Sequence, residues 1–70
     1  MAEMKIERHF VCESACYAAL EIRRLQRDGW QIVPGTLVLH NEEYRARDSD
    51  PTRFRLHLAC ELMREVPDDA

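Results

Sequence analysis

Seventy residues leave room for one domain only, because a chain of this size buries about 60% of its unfolded surface and cannot support two separate cores. An apolar fraction of 46%, a charged fraction of 33% and a total of two glycines and three prolines exclude a low-complexity or disordered chain. Thirteen acids against ten bases give none of the basic excess that would mark nucleic acid or an anionic membrane as a favoured partner. No apolar stretch approaches the ~20 residues of a membrane helix, and no basic start leads into an apolar run, so a cytoplasmic protein is expected. In that setting Cys12, Cys16 and Cys60 read as free thiols rather than as a disulfide framework.

Along the chain, Ile6, Phe10 and Cys12 share one parity while Lys5, Glu7 and His9 take the other, which predicts a first strand with Arg8 as the misfit on its apolar face. Ser14 is placed to cap a helix, since a serine hydroxyl can accept from a free first-turn N–H. Ala15, Ala18, Ala19, Ile22 and Leu25 then follow at the spacing of a one-sided helix, with Arg23, Arg24 and Arg27 near the end where cations complement the dipole. Gly29 is the expected stop, and Trp30 folds back onto the helix.

The run from Trp30 to His40 is rich in β-formers but is broken by Pro34 and Gly35, so it predicts a bent strand or two short pieces whose parity changes at the break. Asn41 to Pro51 is charged and ends in turn formers, which predicts a flexible loop over residues 41–52. The clearest alternation lies between Thr52 and Glu65. Phe54, Leu56, Leu58, Cys60 and Leu62 face the helix, and Arg53, Arg55, His57, Glu61 and Glu65 face away. The tail after Val66 is expected to fray. These elements predict an α+β fold of order βαββ, one helix on a three-stranded, mostly antiparallel sheet, with an ordered core over residues 4–65.

The phrase Leu25, Gly29, Trp30, Gln31, Ile32, Val33 resembles the small bacterial and phage proteins grouped as DUF4177. The likeness spans about residues 4–64 and includes a closing apolar strand that ends near a basic residue, here Leu62, Met63 and Arg64. The chain lacks the aromatic-rich first strand of that family, and Pro34 and Gly35 interrupt its second. The resemblance implies the fold and no activity.

Candidate chemistry is sparse. His9, Cys12 and Cys16, with His57 and Cys60 later, are the only grouping that loosely suits zinc, but residues three apart on a strand point to opposite faces, so buried thiols beside surface imidazoles are expected and no metal or other cofactor. Cys12 and Cys60 both belong to core-facing parities in this reading, so a disulfide between them is geometrically conceivable. Cys16 sits near a helix N-terminus, where a thiolate is favoured, yet no base is in register with it. No phosphate loop or catalytic motif is present, and an enzyme is not expected.

The second sheet face remains. Val11, Ala59, Met63 and part of the Leu37 to Leu39 segment are expected there among Arg53, Arg55 and His57, forming a candidate surface for self-association or for a protein partner. A non-enzymatic interaction module, homodimeric, is the expected function. The alternative is a nucleic-acid-associated module using Arg23, Arg24 and Arg27 together with Arg53 and Arg55.

Overall fold

The computed structural model describes residues 3–68. Its elements are β1 (Met4–Ser14), α1 (Ala15–Arg27), β2 (Gln31–Ile32), β3 (Val38–Tyr44) and β4 (Arg53–Pro67). The fold is α+β, and all four strands pair antiparallel in a single sheet rather than three. The fourth strand arises because the Trp30 to His40 run divides into two pieces.

Every pairing passes through β4. On one side it takes β1 from Met4 opposite Pro67 to Ser14 opposite His57. On the other side it takes β2 opposite Met63 and Leu62, then β3 from Val38 opposite Ala59 to Tyr44 opposite Arg53. Three extra residues enter between β2 and β3, so Ile32 lies opposite Leu62 while Leu39, seven residues on, lies opposite Leu58. The parity change expected at Pro34 and Gly35 is therefore real, and Gly35 supplies the positive φ of +83° that the turn requires. Thr36 closes the gap this leaves in the ladder. Its Oγ1 accepts from Glu61 N at 3.1 Å and donates to Val33 O at 2.7 Å, while Val33 N donates to Glu61 O at 2.9 Å.

The helix forms where Ala18, Ile22 and Leu25 place an apolar stripe against the sheet. Ser14 occupies the N-cap position but makes no side-chain cap bond, so the expected capping hydrogen bond is absent. The other end follows the expected form. Gly29 at φ +92° donates to Gln26 O and Trp30 donates to Leu25 O, a paired closure that satisfies the last carbonyls and brings Trp30 back over the core.

Among the described residues the buried core is six, Val11, Ala18, Ile22, Leu25, Cys60 and Leu62, with Trp30, Ile32 and Leu58 packed at its edge. Val11 corrects the first-strand reading. It is 3% exposed and lies opposite Cys60 under the helix, so it belongs to the covered face and not to the second one. Ile6, Phe10 and Cys12 accordingly face the open side. The pattern misled because most of the covered face on β1 is polar: beside the helix end, His9 meets Trp30 edge-on at 5.7 Å, and Arg64 stacks over Trp30 at 4.6 Å while its Nε donates to Glu7 at 2.9 Å. An indole between an imidazole and a guanidinium fills space that alternation assigns to aliphatic side chains.

Two further expectations are corrected. Asn41 to Tyr44 are strand, not loop, and the connection shrinks to residues 45–52. Charged residues extend the ladder there through cross-strand pairing. Glu42 lies opposite Arg55, Arg55 stacks over Tyr44 at 4.5 Å, and His40 stacks on His57 at 5.5 Å. At the other end Val66 and Pro67 continue β4, and Asp68 N donates to Glu3 O at 2.7 Å, so the expected fraying does not begin at Val66. The rest of that expectation, residues 69–70, lies outside the described residues.

Candidate interaction surface

A 13-residue helix is about 20 Å long, whereas the 15 residues of β4 run about 50 Å. The helix starts at the level of His57, where Ser14 pairs, and ends near Arg64, whose Nη1 reaches Asp28 O at 3.4 Å. Beyond His57 the hairpin of β3 and β4 continues as a two-stranded arm with neither face covered. The molecule is accordingly long, 63 by 20 by 19 Å.

On its inner side, the side that carries the helix elsewhere, the arm presents Phe54 (69% exposed) and Leu56 (43%), with Leu39 (58%) at its base opposite Leu58. Sequence reading assigned Phe54 and Leu56 to the buried face. They do lie on that face, but the helix stops before reaching them. Burial was misjudged because alternation reports the face of a strand and says nothing of how far its cover extends. The outer side of α1 is also apolar in its first half, where Tyr17 and Leu20 are 68% and 64% exposed.

The open face holds the remaining residues expected there. Arg53, Arg55, His57, Ala59 and Met63 alternate along β4 on the side away from the helix, beside Val38 and Phe10. Leu39 falls instead on the inner side of the arm, and Leu37, exposed, precedes β3. His57 Nε2, itself shielded from solvent, lies 2.6 Å from Glu42 Oε2 without hydrogen-bond geometry, so the contact is an ion pair only while the ring carries a proton. Arg8 pairs with Glu61 across the strands at 2.7 Å.

The sequence-predicted chemical residues are dispersed. Cys12 pairs with Ala59 on the open face while Cys60 is buried on the other, which places the conceivable disulfide partners on opposite sides of the sheet; all three cysteines are free thiols. Cys16 is exposed on the helix. Burial pushes the Cys60 thiol above its ordinary pKa. Among the described residues no group of three or more histidine, cysteine or acidic side chains is placed to hold a metal ion. The arginines expected to act together are divided as well, Arg23, Arg24 and Arg27 on the helix and Arg53 and Arg55 on the opposite face of the sheet. Arg24 is occupied by Glu21 at 2.5 Å, and its guanidinium holds that carboxyl below the usual range.

No described helix is long and apolar enough to cross a membrane. No family model, no curated protein and no solved structure matches the chain.

Proposed function

We propose that the protein is a small non-enzymatic interaction module that works as a homodimer, its association driven by apolar surface that its own helix leaves uncovered. The observation that carries this reading is the surface area. A compact monomer of 8.3 kDa exposes about 4,600 Å², whereas this chain exposes 5738 Å². The excess, about 1,100 Å², is larger than the ~800 Å² each partner gives up in a standard protein interface. The radius of gyration agrees, at 16.7 Å against about 11 Å for a compact chain of this length. A two-stranded hairpin is marginal in water by itself, so an arm with exposed apolar residues along its inner face calls for a covering surface. Light scattering at micromolar concentration tests the association. A dimer mass is expected, and a strictly monomeric chain down to the lowest salt and up to the highest concentration accessible would end the proposal.

A further inference from the structure

We infer that the uncovered inner face of the arm is the seat for the helix of a second copy, the two chains forming a two-fold dimer in which each arm lies across the outer side of its partner's α1. This rests on the self-association reading and adds the surface and the geometry.

Three observations converge. The first is length. The arm lacks a cover from His57 to its tip, and the chain's own helix, about 20 Å long, is bare on the side opposite its core stripe and apolar there in its first half, at Tyr17 and Leu20. Leu20 lies about 180° around the helix from Ala18, Ile22 and Leu25, so it cannot join the core of its own chain.

The second is register. Both the helix and the uncovered part of the arm begin at the level of His57, one running each way. A two-fold axis through that level therefore lays the partner's helix along the arm. Leu20, six residues into the helix and about 9 Å from its start, then meets Phe54, three strand residues and about 10 Å from His57. Tyr17, about 4 Å into the helix, meets Leu56, about 3 Å along the arm. Apolar side chains coincide at both levels.

The third is charge. Arg23, about 13 Å into the helix, comes to the level of Glu43, which pairs with Phe54 about 10 Å along the arm. Neither makes an ion pair or side-chain hydrogen bond among the described residues. The match is isologous, so it occurs twice in the dimer. The open face has no comparable fit to a helix, because Arg8, Glu61, Arg55, Glu42 and His57 are engaged there within the chain.

Sedimentation equilibrium on the full chain and its variants tests the surface. Phe54→Asp is expected to weaken the dimer by at least about 30-fold, as loss of a central apolar anchor does, while Phe10→Asp on the open face leaves it within about twofold. The reverse ranking would overturn the inference and leave the dimer standing, whereas a monomeric parent chain would remove both. A charge exchange guards against variants that merely misfold. Glu43→Arg and Arg23→Glu are each expected to weaken association by about two- to fivefold and the double variant to recover it. Additive losses in the double variant would overturn the inference.

Discussion

Cys60 shows how one residue reports the fold. It is fully buried opposite Val11, while Cys12 on the neighbouring register position is exposed on the other face. Under native conditions a maleimide is expected to modify Cys12 and leave Cys60 untouched, with Cys60 reacting only in denaturant; mass spectrometry of the labelled chain reads this directly, and rapid native labelling of Cys60 would contradict the core assignment. The same burial has a pH consequence. The folded thiol holds its proton above the ordinary cysteine pKa of about 8.5, whereas the unfolded chain releases it there. Its contribution to stability is therefore complete below that pH and is lost as pH rises through the folded value. Denaturation of Cys60→Ala should show a shallower decline in stability at alkaline pH than the parent chain.

At the scale of elements, much was legible because local chemistry decided it. The Gly29 stop, the helix stripe and the phase of β4 each followed from residues whose conformational needs are met within a few positions. The phase of β1 was not legible. Its apolar parity, Ile6, Phe10 and Cys12 with Arg8 alone out of place, reads as a core face, but the register turns it outward, and the covered side is filled by contacts of Trp30, in the turn after the helix, with His9 of β1 and Arg64 of β4. Strand β3 was hidden for a related reason, since its ladder is held by Glu42, Tyr44 and His40 against Arg55 and His57, pairings that exist only once the hairpin has formed. Of the candidate interface, Arg53, Arg55, His57, Ala59 and Met63 were placed on the open face from parity alone, whereas Val11 and Leu39 were not. The inner face of the arm was not, because it depends on where the helix ends in space. Thr36 offers the element-scale test. Thr36→Val keeps the shape but leaves Glu61 N without its acceptor, and should cost about 1–3 kcal/mol in chemical denaturation. A neutral result would mean that the junction of β2 and β3 is held by its backbone alone.

For the whole molecule, six buried residues are a small core for a chain whose stability, on the usual per-residue scale, amounts to roughly 4–10 kcal/mol. If association supplies part of that stability, the midpoint of thermal unfolding must rise with protein concentration, because mass action favours the associated folded state. Calorimetry over a hundredfold range of concentration is expected to show the rise, and a constant midpoint would mean that the elongated chain is stable alone. The central place of β4 carries a further consequence for how the structure is reached. Every other strand pairs with β4, which follows them all in the sequence, so β1, α1, β2 and β3 emerge with no sheet to join, and the outermost pair links Met4 to Pro67. Closing so long a loop is slow compared with local folding. During synthesis the segments that precede β4 therefore have no strand partner until β4 itself has left the ribosome, and an interruption before residue 53 would release a product in which none of these pairings can form.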